Sequence, residues 1–284
     1  MKVLVTGVMG QLGYDVVKEL NQRKIECLGT DVDDFDITDE KSVTAFIQQY
    51  KPDAVIHCAA YTAVDKAEDD QELCRRVNVD GTRYIAKVCK EIDAKMIYIS
   101  TDYVFPGTGD RPYEVDDPTG PTCVYGVTKL EGELAVKECL DKYFIVRISW
   151  VFGKNGSNFV KTMLRIGKER DEVNVVCDQI GSPTYTADLA PLLCDMVATE
   201  KYGTYHATNE GFCSWAEFAQ EIFKQAGYVT IVRAIPTFEY PTKAKRPLNS
   251  RLSKGSLVKS NFIRLPTWQN ALERYLGEIH DKSN

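Results

Sequence analysis

Lys2-Val3-Leu4-Val5-Thr6-Gly7-Val8-Met9-Gly10-Gln11-Leu12-Gly13 opens the chain and dictates its fold. Lys2 to Thr6 is a short, mostly β-branched run, the pattern of a buried strand. The glycines that follow are spaced Gly-x-x-Gly-x-x-Gly. A tight turn, close approach of backbone to a pyrophosphate and close helix–strand packing all need residues without a side chain at such points. A helix should then begin, with Leu12, Val16, Val17 and Leu20 on one face and its N-terminus toward the pyrophosphate.

The rhythm continues outward. Ile25 to Thr30 reads as a second strand followed by Asp31, where an acid can meet an adenosine ribose. Thr38 or Asp39 is a candidate cap for the next helix. Ala54 to Cys58 is an apolar strand that ends in the small residues Ala59 and Ala60, then Tyr61. Asn78 to Thr82 is expected to open a helix, and Met96 to Ser100 is the next strand. Short strands alternating with helices predict an α/β protein: a Rossmann-like, doubly wound parallel sheet over residues 1–150, rejoined by part of 185–210. After Trp150 the rhythm breaks. Residues 151–284 read as a smaller C-terminal α/β substrate domain, with Ser214 and Glu217 placed to cap a helix from Trp215 to Ala226.

Composition narrows the class. Of 284 residues, 44% are hydrophobic and 27% charged, with a net charge of −6, and no basic run marks a nucleic-acid or membrane surface. No apolar stretch approaches the ~18 residues of a membrane span. The nine cysteines are scattered without a Cys-x-x-Cys pair, so neither a disulfide framework nor a metal site is expected, and a reduced, cytoplasmic setting is.

The chemistry is concentrated in the middle. The strand Met96–Ser100 runs into Thr101-Asp102-Tyr103-Val104-Phe105, at the carboxyl end where open parallel sheets bind ligands. Gly107 to Pro121, rich in Gly, Pro and acids, is expected to contribute to a lid. Tyr125-Gly-Val-Thr-Lys129 follows. On a helix Tyr125 and Lys129 share a face, and a neighbouring cation would favour the phenolate and lower the tyrosine pKa from its ordinary ~10.

Glycine loop, Thr at a strand end and Tyr-x-x-x-Lys together resemble the extended short-chain dehydrogenase/reductase superfamily. Gly10–Gly13, Ala60–Glu68, Ser100–Phe105, Tyr125–Lys129, Arg147–Gly153, Asp178–Thr184 and Arg246-Pro247 narrow the resemblance to the dTDP-4-dehydrorhamnose reductase family. The resemblance implies that Tyr125 protonates a C4 carbonyl oxygen as hydride arrives, that Lys129 tunes Tyr125 and holds the nicotinamide ribose, and that Thr101 hydrogen-bonds the same oxygen. It implies cofactor contacts from Gly7, Gly10, Gln11, Leu12, Gly13, Asp31, Asp36, Ile37, Ala59, Ala60, Tyr61 and Asn78, besides Tyr125 and Lys129. Substrate contacts would come from Thr101, Asp102, Tyr103, Phe105, Trp150, Asn158 and Arg246, the last in a basic stretch from Lys243 to Arg251. Dehydratases of the superfamily carry Asp-Glu after the Thr. Here the pair is Asp102-Tyr103, which argues against water elimination.

A dTDP-sugar is thus the expected substrate and NADPH or NADH the expected cofactor, with a homodimer possible. Between Cys27 and Glu40 there are five Asp and no Lys or Arg, so NADH is expected to serve at least as well as NADPH. A reductase or epimerase of another nucleotide sugar and a non-catalytic subunit of the same fold are the rival readings. Ser253, where relatives often carry an acid, departs from the family pattern.

Overall fold

The computed structural model describes residues 1–280; residues 281–284, the end of the expected second domain, lie outside the described residues. The first half runs β1 (Lys2–Thr6), α1 (Gln11–Gln22), β2 (Glu26–Thr30), α2 (Glu40–Tyr50), β3 (Ala54–His57), α3 (Val64–Ala67), α4 (Gln71–Arg75), a π-turn at Arg76–Gly81, α5 (Thr82–Glu91), β4 (Lys95–Thr101), α6 (Val124–Cys139) and β5 (Tyr143–Ile148). The second half runs β6 (Val151–Phe152), α7 (Phe159–Glu169), β7 (Glu172–Val176), β8 (Ile180–Gly181), β9 (Thr184–Tyr185), α8 (Thr186–Val197), β10 (Gly203–His206), β11 (Cys213–Ser214), α9 (Trp215–Ala226), β12 (Ile231–Ile235), β13 (Asn249–Ser250), α10 (Gly255–Lys259) and α11 (Trp268–His280).

Six strands form one sheet in the order β10-β5-β4-β3-β1-β2, every pair parallel. Parallel strands are covered on both faces, which is why β1, β3 and β5 are apolar almost throughout rather than alternating. One face packs on α1 and α8 through Val16, Leu20, Leu189 and Leu193, and the other on α2, α5 and α6 through Val43, Ile47, Ile85 and Val136. Strand order reverses between β1 and β3, the crevice where such sheets take ligands.

Outside this sheet, β7 pairs with β12 and β8 with β11 and β13. A separate core of Phe152, Val160, Phe218, Phe223, Trp268 and Tyr275 holds α7, α9 and α11 together. The Ser214–Glu217 capping box is present on α9. Among the described residues no helix is long and apolar enough to cross a membrane, and no cluster of His, Cys, Asp and Glu could hold a metal ion.

Two expectations change. Asn78 does not open a helix. It lies inside a π-turn in a continuous run from Gln71 to Glu91, because α4 already begins the run upstream. Nor is Gly107–Pro121 free to act as a lid. The Tyr113 N–H donates to Arg251 O at 2.9 Å, Leu248 N–H to Gly107 O at 3.1 Å, and the Asn249 amide to Arg111 O at 2.8 Å. These bonds stitch the loop to the segment around β13.

Beneath α6 lies a buried ion pair. Arg147 on β5 donates through Nε and Nη2 to the two carboxylate oxygens of Glu133 at 2.8 and 2.7 Å, and Ser100 Oγ on β4 donates to Glu133 at 2.6 Å. The two side chains are 3% and 0% exposed. Removing one partner leaves an uncompensated buried charge, so Arg147→Met should cost about 3–5 kcal/mol in urea unfolding, and Arg147→Met with Glu133→Leu should recover much of it. Equal losses in the single and double variants would show that the pair acts through shape alone.

Candidate active site

The glycine loop is built by close approach. Gly7 takes φ +75°, and a Cβ there would lie 2.7 Å from Ala59 N; a Cβ on Gly13 would collide with Gly7 O. The loop therefore lies on the end of β3, with the N-terminus of α1 behind it. Thr6 Oγ1 accepts from Ala59 N–H at 3.3 Å and bonds His57 Nδ1 at 2.7 Å. Beside the loop is a cleft of about 330 Å³ that brings together Gly7, Asp31, Asp36, Ile37 and Ala59. A glycine cradle, a helix N-terminus and the apolar side chains of Phe35, Ile37, Leu73 and Val77 suit a dinucleotide's phosphates and base.

The acids there are less free than their number suggests. Asp31 accepts from Met9 N–H at 2.8 Å and Val32 N–H at 2.9 Å, so it clamps the glycine loop to the end of β2. Asp34 accepts from Asp31 N–H, and Asp39 caps α2. Only Asp31 and Asp36 line the cleft. Bonds from the Thr38 backbone and hydroxyl, helped by Arg76, hold the Asp36 carboxyl below its ordinary range.

Asn78 braces the neighbouring turn. Its Oδ1 accepts from Tyr61 N–H at 2.8 Å, and its Nδ2 donates to Tyr61 O and to Thr128 Oγ1 on α6. Gln11 and Asn158, expected at different ligands, meet each other. Asn158 caps α7, and its amide donates to Gln11 Oε1 at 3.0 Å, Gly153 O at 2.9 Å and Tyr275 Oη at 3.1 Å. With its amide so engaged, Asn158 braces the glycine loop against α7 and Tyr275. Gly10, Leu12 and Ala60 form the backbone around the loop and the β3 turn without lining the cleft.

The residues expected to carry chemistry gather at the carboxyl end of β4. Thr101 is buried, and its hydroxyl donates to Asp102 Oδ1 at 2.9 Å. Asp102 is 2% exposed, and burial pushes its carboxyl up to about 6, opposed by the Ser250 and Thr101 hydroxyls beside it. Cys123 caps α6 and sets Tyr125 in its first turn. The Tyr103 ring meets the Tyr125 ring edge-on at 5.4 Å, and Tyr103 Oη accepts from Arg246 at 3.1 Å. Arg246 also pairs with Asp65. Trp150, at φ +50°, stacks on Trp215 with centroids 3.7 Å apart. Phe105 is not at the site. It is 1% exposed and stacks on Tyr113 in a small core under the Gly107–Pro121 loop, where an aromatic next to a strand end is best buried.

The electrostatics differ from the sequence expectation. Burial pushes the Tyr125 phenol above its ordinary range, the Thr101 hydroxyl opposes this, and Asp102 and Tyr103 add to it. Lys129 does not dominate because its ammonium lies 4.0 Å over the Tyr98 ring, inside the fold. Burial brings Lys129 itself down to about 7, with Glu133 acting in the opposite direction. Tyr125 thus carries its proton at neutral pH, the form a general acid needs.

A family model described as the RmlD substrate binding domain matches residues 1–280. The chain is 41% identical to a dTDP-4-dehydrorhamnose reductase of Aggregatibacter actinomycetemcomitans, over 96% of this chain and 97% of that protein. The chain belongs to the dTDP-4-dehydrorhamnose reductase family. It is also 41% identical to the spore coat polysaccharide biosynthesis protein SpsK of Bacillus subtilis (strain 168), over 98% of this chain and 97% of that one. A solved dTDP-4-dehydrorhamnose reductase from Bacillus anthracis strain Ames, in complex with NADP, superposes with a TM-score of 0.95 at 44% identity, covering 98% and 99% of the two chains.

Within this family fold, sequence reasoning missed Arg76, Leu73, Val77 and Phe35 on the dinucleotide cleft and Ser250 beside Asp102. Arg76 and Val77 stand just before Asn78, but residues one and two apart on a helix do not share a face, so Asn78 gave no signal for them. Ser250 comes from a distant strand and left no local signal.

The buried Lys129 yields a pH test. Folded, it loses its proton near 7; unfolded, near 10.5. Between these values the unfolded chain binds more protons, so the Lys129 contribution to stability rises with pH. Lys129→Met should therefore raise the melting temperature most at about pH 6, with the gain shrinking toward about pH 10. A gain independent of pH would show that the ammonium is not desolvated.

Proposed function

We propose that the chain reduces the C4 keto group of dTDP-4-dehydro-6-deoxy-L-mannose to give dTDP-L-rhamnose. The observation that carries this reading is the convergence of Thr101, Tyr125 and Lys129 at the end of β4, next to a cleft shaped for a dinucleotide. A nicotinamide dinucleotide, when bound, supplies the hydride; Gly7, Asp31, Asp36, Ile37 and Ala59 would hold its adenosine half, and Lys129 the ribose near Tyr125. Tyr125 would give its proton to the carbonyl oxygen, so that hydride gained at C4 and proton gained at oxygen together turn ketone into alcohol. Thr101 donates a hydrogen bond to that oxygen as charge grows on it. Asp102-Tyr103 offers no glutamate for water elimination.

The nucleotide end of the substrate has its own support. Arg246 links Tyr103, and so the reacting end, to an open cleft of about 550 Å³ lined by Phe238, Tyr240, Lys243 and Lys245. Phe238 is 82% exposed, a large apolar surface that a pyrimidine base would cover. The basic side chains suit a diphosphate in a protein of net charge −6. The SpsK relative is named for polysaccharide biosynthesis, and we read this chain as a supplier of a deoxysugar nucleotide for such a polymer, working in the cytoplasm. That NADH serves at least as well as NADPH rests on fewer acids than the sequence suggested, since two of the five line the cleft and Arg76 joins them there.

A panel of dTDP-4-keto sugars, assayed by cofactor oxidation, tests the reading; no turnover of the 6-deoxy-L-lyxo-hexos-4-ulose substrate would end it. Tyr125→Phe should keep cofactor binding and lower kcat by roughly 10²–10⁴, the range general acid catalysis supplies. Near-normal turnover would take Tyr125 out of the mechanism. Arg246→Ala should raise KM for the nucleotide sugar more than it lowers kcat, because a diphosphate contact far from C4 serves substrate and transition state alike. An unchanged KM would place Arg246 outside the substrate site.

A further inference from the structure

One hydroxyl proton has three claimants at the end of β4. Thr101 Oγ1 lies 2.9 Å from Asp102 Oδ1. It also bonds the Tyr125 phenol and favours its ionised form. The reduction of a ketone asks for the same proton at the carbonyl oxygen. A hydroxyl donates once and accepts twice. One lone pair of Thr101 takes the Tyr103 N–H at 3.3 Å. An ionised Asp102 can only accept, so it draws the Thr101 proton into a charge-assisted bond and leaves none for the ketone. A protonated Asp102 reverses the same 2.9 Å contact: it donates to the second lone pair of Thr101, and the Thr101 proton is released for the substrate.

The surroundings favour the protonated acid. Asp102 is buried, and burial outweighs the groups that favour its charge, which are the hydroxyls of Ser250 on β13 and Thr101 and the backbone N–H groups of Asp102 and Tyr103. Tyr103 shares its turn and Tyr125 faces it from α6, two phenols that an ionised Asp102 holds in their protonated forms. Cys123, at the cap of α6, is a thiol pushed up by burial. Arg246 reaches this cluster through Tyr103 Oη but is paired with Asp65. Lys129 lies a turn further along α6, over the Tyr98 ring. Once Tyr125 has given up its proton, its phenolate would stand beside a second anion if Asp102 were ionised, and like charges in a dry site oppose each other.

We propose that Asp102 works as a neutral carboxylic acid, a positioning residue that donates its proton to Thr101 and so turns the Thr101 hydroxyl toward the substrate carbonyl oxygen. This rests on the reading of Thr101 and Tyr125 as the groups that flank the ketone. Asp102 keeps its proton throughout. Hydride arrives at C4, the proton on oxygen comes from Tyr125, and Thr101 contributes a hydrogen bond that exists in one protonation state of its neighbour and not in the other.

The test is the pH profile of kcat/KM, which reports the free enzyme's essential groups, for wild type, Asp102→Asn and Ser250→Ala. Asp102 is neutral below its folded pKa, so the wild-type value should fall as pH rises through that pKa. Asp102→Asn has an amide N–H that donates to Thr101 without titrating. It should stay within about fivefold of wild type at about pH 6 and overtake it by about tenfold or more at about pH 8, within what one oxyanion donor supplies. The titration of Lys129 is common to both enzymes and leaves their ratio unchanged. Ser250→Ala removes a hydroxyl that favours the carboxylate, so the fall should move to higher pH. Infrared difference spectra of wild type against Asp102→Asn should show a protonated carboxyl band at about pH 6 that is lost by about pH 8. Parallel profiles for wild type and Asp102→Asn, a folded Asp102→Asn that is inactive at every pH, a fall that Ser250→Ala leaves in place, or no such carboxyl band each overturn the assignment while the wild-type reduction stands. A wild type that reduces no dTDP-4-keto sugar at any pH removes the reductase reading and this inference with it.

Discussion

The bidentate bond between Glu133 and Arg147 fixes what the site depends on. It joins α6 to β5, and Ser100 ties β4 to the same carboxylate. Lys129 is one helical turn before Glu133, and Tyr125 one turn before Lys129, so the face of α6 proposed to carry the chemistry also carries its anchor. Three elements that must agree to place a phenol beside Thr101 are thus held by one buried charge pair. Such a pair is sensitive to geometry, because its attraction compensates desolvation only when the donors meet both oxygens.

Around that anchor, burial acts on the neighbouring ionisable groups. Tyr125 and Lys129 are both driven toward their neutral forms by burial. For Tyr125 this keeps the proton in place. For Lys129 it weakens the hold on the proton, with Glu133 acting in the opposite direction. Asp102 is pushed in the same direction, yet remains beside the Thr101 hydroxyl. The same desolvation acts on all three, and their neighbours decide the differences.

Much of the fold was legible in the sequence because its signals are local. A glycine loop after a strand, apolar strands without alternation and the Ser214–Glu217 box each follow from neighbours in the chain. The site was legible where residues sit at strand ends or one helical turn apart, as with Thr101, Tyr125 and Lys129. It failed where a residue's role comes from a distant contact. Asn158 was expected at the substrate, and its bonds to Gln11 and Tyr275 left no local signal. Phe105 looked like a substrate contact and fills a core with Tyr113 and Leu252. The acids after β2 looked free, but Asp34 and Asp39 bond backbone N–H groups, and the cation that joins the others comes from the far side of β3.

The struts from the second half onto the glycine loop bear on how this protein can be taken apart. Asn155 donates to Met9 O at 2.7 Å and Asn158 to Gln11 Oε1 at 3.0 Å, so the loop that meets the cofactor is held partly by residues beyond the sheet's fifth strand. A chimaera of two relatives joined near residue 150 would put a foreign strut on a native loop. The natural unit of exchange is therefore the cofactor loop together with residues 153–158, and recombination between relatives will succeed where that pair travels intact.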